Sequence, residues 1–293
     1  MNIMNDQASI LRKKFAQNSF KPTPTTSKTT RSFSITSGKG GVGKTNIVIN
    51  LAIQLAKMGK KVFIIDADLG LANIDIMLNI APEFTIEDVL MGKKHIKDII
   101  IEGPHGISIL PASSGISEMQ SLSGQQQMSM FRALSSLKTH YDYILIDTGA
   151  GIASNVLRFN AAADEICVIT NPEPTAITDA YALMKIMSTK YHVNSFNLIV
   201  NQSAPAEARD VYNRLVTVLN RFLTVQLELV GSIPRDPNFI KAVKKQTPLS
   251  ILMPNSPTSK SFEKIALQID SFPGESISDE SKGSFWKKLS SWK

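Results

Sequence analysis

The chain has 293 residues, 43% apolar and 19% charged, enough for one large α/β domain with a full core and short appendages. Its one cysteine, Cys167, excludes a disulfide framework and a cysteine-held zinc or iron–sulfur site within one chain. No apolar run reaches the roughly 18 residues of a membrane span, and a net charge of +7 favours an acidic partner, nucleic acid or an anionic membrane surface.

Residues 5–15 predict a short helix. Asn5 is placed as its N-cap, Asp6 complements the helix dipole, and Ala8, Leu11 and Phe15 fall on one side. Gln17 to Thr30 is rich in Ser, Thr, Pro and Lys and predicts a flexible linker. A small amphipathic helix on a tether has no core of its own, so it reads as a docking peptide.

From Ser32 to about Ala266, apolar runs alternate with helical periodicity. Predicted strands are Phe33–Thr36, Val62–Asp66, Ile107–Leu110, Tyr143–Asp147, Glu165–Thr170, Asn197–Val200 and Leu227–Ser232. Predicted helices include Lys44–Met58, Gln125–Lys138, Ala176–Lys190 and Ala206–Phe222. Continuous apolar strands separated by helices predict a mostly parallel, twisted sheet covered on both faces, with ligands beyond the carboxyl ends of its strands. Cys167 sits in such a strand and reads as a buried thiol. His95, His105, His140 and His192 are scattered without ligand spacing. A second polar linker, 271–284, precedes the ending Phe285-Trp286-Lys287-Lys288-Leu289-Ser290-Ser291-Trp292-Lys293. There Phe285, Leu289 and Trp292 share a helical face with Trp286 beside them, a pattern suited to a membrane interface or to packing back on the core.

The chemistry concentrates at Gly38-Lys39-Gly40-Gly41-Val42-Gly43-Lys44-Thr45-Asn46, which fits the phosphate-binding pattern G-x-x-x-x-G-K-[ST] from Gly38 to Thr45. Its glycines let successive N–H groups turn inward toward phosphate oxygens. Lys44 reaches the β- and γ-phosphates, Thr45 suits Mg²⁺, and the next helix presents its N-terminus. Lys39 is a second lysine that the bare pattern does not require. Asp66 and Asp147 end two other predicted strands, where carboxylates serve a metal shell or cap the following segment.

With Lys39 in place, the loop resembles that of the deviant Walker A ATPases of the MinD/ParA (SIMIBI) family. The resemblance continues at Ile65-Asp66-Ala67-Asp68 (switch I), Ile146-Asp147-Thr148-Gly149-Ala150-Gly151 (switch II) and Ile233-Pro234-Arg235-Asp236 (the loop beside the adenine), covering roughly residues 32–270. It implies a single P-loop NTPase domain binding ATP and Mg²⁺. In the family the lysine at the place of Lys39 crosses to the partner's phosphates in an ATP-dependent homodimer. Asp68 would orient the attacking water, and Asp147 and Thr45 would serve the Mg²⁺ shell with support from Asp66. Asn201 would read the adenine, with Pro234, Arg235 and Asp236 beside it.

Within the family, Asp6, Gln7, Ala8, Leu11 and Arg12 resemble the D-Q-A-x-x-L-R segment of a flagellar-number branch, which engages and stimulates an FlhF-like, SRP-type GTPase. That resemblance implies a cytoplasmic switch with peripheral attachment to the inner face of the cell membrane. A flagellar switch or a transcription factor is a further candidate partner. The layout is then a partner-binding helix (1–16), a linker (17–31), the ATPase domain (32–270), a linker (271–284) and a membrane helix (285–293). A division-site regulator and a DNA-segregating ATPase of the same family are the alternatives. The second is disfavoured by the tryptophans at the end and by the lack of a DNA-reading motif. A reductase carrying a metal cluster is excluded by the lone cysteine.

Overall fold

A computed structural model describes residues 30–68, 73–84, 88, 89, 91–111, 137, 141–272, 285 and 288. The strands are β1 (Arg31–Ser37), β2 (Val62–Ala67), β3 (Ile101–Glu102), β4 (Ser108–Leu110), β5 (Tyr143–Ala150), β6 (Glu165–Thr170), β7 (Ser195–Asn201) and β8 (Gln226–Ile233). They form one sheet in the order β3-β4-β2-β5-β1-β6-β7-β8, parallel throughout except for the β3–β4 pair. The helices are α1 (Lys44–Lys57), α2 (Ile74–Leu78), α3 (Ser154–Ala162), α4 (Pro174–Tyr191), α5 (Pro205–Phe222), α6 (Asn238–Lys244), α7 (Leu249–Leu252) and α8 (Pro257–Ser271).

The expected fold class holds: a single α/β domain with a doubly covered, mostly parallel sheet. All seven predicted strands are present, the predicted helices recur as α1, α4 and α5, and α8 is a further long helix that the sequence reading did not place. The predicted helix Gln125–Lys138 lies outside the described residues, Leu137 excepted. The sequence reading missed β3, α2, α3, α6 and α7. Each is short, and a strand or helix of one or two turns shows too few periods to stand out.

Phe33 and Ile35 of β1 face α1 and α8, in a core that also holds Ile64, Leu145, Ile169, Phe262 and Ile265. The alternate residues of β1 are polar and buried, and they are bonded to the end of α3 and the turn after it. The Ser34 hydroxyl donates to Asn160, the Asn160 amide donates to Thr36 Oγ1 at 3.1 Å, and the Ser32 hydroxyl donates to Asp164 at 2.7 Å. Buried hydroxyls are tolerable only when paired in this way.

At the sheet's amino-terminal edge, Arg31 pairs with Glu165 and donates to the carbonyl of Ile269 at 2.8 Å. Its guanidinium lies over the rings of Phe33 and Tyr143. Phe262 is fully buried between α8 and α1, whereas Leu267 on the same helix is 51% exposed. Phe262→Ala should therefore cost about 3–5 kcal/mol, and Leu267→Ala less than about 0.5 kcal/mol. Urea unfolding of the two variants tests this, and equal midpoints would contradict the core assignment.

Candidate nucleotide site

The site lies at the carboxyl edge of the sheet, where β1 runs into the glycine-rich loop and the loop into α1. Gly43 is the N-cap of α1 and, like Gly41, is left-handed, with φ of 94° and 76°. A side chain on a residue at such φ is strained, so glycine is required by conformation.

Gly38 and Gly43 are also required by space. A Cβ on Gly38 would meet the Asp179 backbone of α4 at 2.2 Å, and one on Gly43 would meet Asn201 Nδ2 at 2.5 Å. The loop is thus walled by α4 on one side and the end of β7 on the other. Val42 is buried in the core and anchors the loop from below. Lys44, only 8% exposed, starts α1, with Thr45 and Asn46 completing its first turn.

Asp66 and Asp147 are register partners on neighbouring strands β2 and β5. Asp66 accepts from the backbone N–H groups of Asp68, Asn73 and Ile74 at 3.2–3.4 Å, so it shapes the switch I turn. The Thr45 hydroxyl lies near enough to Asp147 to favour its charged form, while Asp147 Oδ1 is buried with no hydrogen-bond partner among the described residues. A buried carboxylate oxygen left over beside a threonine hydroxyl at a phosphate loop fits the water shell of a hard cation such as Mg²⁺.

Burial pushes both carboxyls up to about 7. Asp147 adds to the effect on Asp66, while Thr45 and Lys44 oppose it at Asp147. Asp68 adjoins switch II, since a Cβ on Gly149 would sit 3.4 Å from its Oδ1. Switch II is in turn tied to β1: the Thr148 hydroxyl donates to the carbonyl of Ile35 and Gly151 N–H to that of Ser37.

Lys39 does not point into empty solvent. Its Nζ contacts Glu173 Oε2 at 2.5 Å and Thr175 Oγ1 at 2.9 Å, at the start of α4 in its own chain. The ammonium holds the exposed Glu173 carboxyl below the usual range. Sequence reasoning missed Glu173, Thr175 and Asp179. The available signal was their position just past the end of β6, where a parallel sheet places its ligands.

Asn201 lies against the loop and donates from Nδ2 to the Val42 carbonyl at 2.7 Å. Pro234 and Arg235 follow β8 on the same edge. Asp236 requires a correction: its oxygens accept from Asn238 N–H and Thr258 Oγ1, both at 2.8 Å. Phe285 is corrected as well. It is 3% exposed, within the cluster that includes Ile96, Phe159 and Ala163, so it is a core residue here and not a membrane-facing one. Asp6, Gln7, Ala8, Leu11, Arg12, Trp286, Leu289 and Trp292 lie outside the described residues.

The raised carboxyls set a pH dependence. The native state keeps protons that the unfolded chain, with carboxyls near about 4, has lost, so these groups lower stability as pH rises from about 4 to about 7. Asp147→Asn should therefore raise the nucleotide-free melting temperature by a few degrees at pH 8 and by about a third as much at pH 5. Thermal melts at both values check it, and no gain at pH 8 would refute it.

Comparison with known proteins agrees with this geometry. The family described as an AAA domain matches residues 30–199. The chain is 41% identical to "Antiactivator FleN" of Pseudomonas aeruginosa over 82% of its own length and 86% of that protein. It is 38% identical to "Flagellum site-determining protein YlxH" of Helicobacter pylori, over 81% of each chain. Its fold matches the septum site-determining protein MinD of Pyrococcus horikoshii, solved with Mg-ADP, at a TM-score of 0.66 and 28% identity, over 83% of this chain and 96% of that one. The chain belongs to the MinD/ParA family of P-loop ATPases, in the branch that contains FleN.

Proposed function

We propose that this protein is an ATP-hydrolysing switch that dimerises with ATP and regulates the number or placement of flagella. The observation that carries the enzymatic part is the convergence of Lys39, Lys44, Asp68 and Asp147 on one walled loop. The flagellar part is supported by relatives named antiactivator FleN and flagellum site-determining protein YlxH.

In this reading the loop N–H groups, Lys44 and the α1 N-terminus bind and neutralise the phosphates. Mg²⁺, held by Thr45 and the Asp147 side, would supply further charge compensation to the leaving phosphates. Asp68 orients the attacking water, and the stitched switch II loop fixes its distance from the phosphate loop. Phosphoryl transfer to water is mostly positioning and charge, so small displacements of these groups matter. Lys39 leaves Glu173 and Thr175 to reach the partner's nucleotide.

The segment carrying Asp6, Gln7, Ala8, Leu11 and Arg12 activates an SRP-type, FlhF-like GTPase. The end bearing Trp286, Leu289 and Trp292 gives peripheral membrane association, without Phe285.

Two variants separate the roles. Lys39→Ala should abolish ATP- and Mg²⁺-dependent dimerisation in sedimentation, and an unchanged dimer would sink the crossing role. Asp68→Ala should retain nucleotide binding and lose turnover by at least about a hundredfold; normal turnover would remove it from the chemistry. For the partner, residues 1–31 used as bait should retain a GTPase and raise its rate. Failure to stimulate any captured GTPase would withdraw that assignment.

A further inference from the structure

Asn201 is used before any base arrives. It is 7% exposed at the end of β7, and both halves of its amide are engaged: Nδ2 donates to the Val42 carbonyl at 2.7 Å, and Oδ1 accepts Gln202 N–H at 2.9 Å. These partners fix which end of the amide is which. The next residue, Gln202, is left-handed at φ 55°, an unfavourable state for a residue other than glycine, and the Oδ1 contact caps that turn. Ser203 N–H then donates to the carbonyl of Ile233, the last residue of β8 and the entry to the loop Pro234–Asp236. A continuous path of bonds therefore joins the phosphate loop to the loop placed beside the base.

The peptide between Val42 and Gly43 is planar and trans, so its C=O and N–H point in opposite directions. With the carbonyl held on Asn201, the Gly43 N–H is held facing away from that amide and the end of β7. Gly43 at φ 94° has the freedom to let this peptide rotate, and the amide is the contact that opposes rotation.

We propose that Asn201 is a positioning residue of the phosphate cradle, fixing the Val42–Gly43 peptide so that the Gly43 N–H is presented to a polyphosphate with or without a base. This deepens the nucleotide-site reading and rests on it. Nδ2 retains a second hydrogen and Oδ1 a second lone pair, so the same amide has capacity left for a purine edge. Base and phosphate recognition are then coupled through one side chain.

The test uses the full chain and two ligands, Mg-ATP and Mg-tripolyphosphate, which has no base, with titration calorimetry as the readout. Asn201→Ala removes the contact; Asn201→Asp keeps the volume and sets a carboxylate oxygen against the Val42 carbonyl. Each should weaken tripolyphosphate binding by about five- to tenfold, the loss of one hydrogen bond, and weaken ATP binding at least as much. A merely structural role would lower melting temperature while leaving tripolyphosphate affinity unchanged, which would overturn the proposal. So would variants that weaken ATP alone, since that pattern belongs to a pure base reader. Wild-type protein that binds neither ligand would overturn the nucleotide-site reading itself along with this one.

Discussion

Among the described glycines, the tightest approaches to neighbouring atoms are at Gly38 and Gly43 of the glycine-rich loop. At Gly38 and Gly43 the neighbouring atoms stand where a side chain would begin, so the loop's path is set by what surrounds it. The rest of the architecture supplies that surround. β1 lies between β5 and β6 and delivers the loop from the middle of the sheet. α4 and the end of β7 form the walls, and the polar face of β1 is bonded to Asn160 and Asp164 beside it. A loop held from both sides presents its N–H groups without having to organise them when an anion arrives.

The electrostatics have the same pre-set character. Two buried carboxyls on adjacent strands are costly in the empty protein, and part of that cost is relieved by partial protonation. A cation at Asp147 would reverse the balance, because the orphaned Oδ1 would gain a partner and the acid would ionise. A bound cation would thus recover stability that the buried carboxyls cost, as in other strained functional sites.

Much of this was legible in the chain, and for definite reasons. β5 and β6 are buried along most of their length and read largely as apolar runs, whereas β1 was legible from Phe33 and Ile35 alternating with small hydroxyl residues just ahead of the loop. The phosphate loop was legible because a conformational requirement and a chemical one fall on the same few residues. Glu173 was not legible: an exposed glutamate before a proline resembles any loop residue until the fold brings it beside Lys39, 134 positions away. Asp236 misled because its sequence context is that of a site, while its oxygens serve α6 and α8. Phe285 misled because an aromatic in a lysine-bearing terminal segment fits a lipid surface and a core cavity equally well.

The clamp at Arg31 gives β1 two ends with different mechanical roles. The seven residues of β1 place that clamp about 20 Å from the phosphate loop. A force on the chain ahead of Arg31 is met by Glu165, the Ile269 carbonyl and the Tyr143 ring, which belong to three other elements, and by the Phe33 ring of β1 itself. The load is spread into β5, β6 and α8 before it reaches Gly38. The contacts that fix Arg31 and those that wall the phosphate loop are therefore separate sets at opposite ends of one strand.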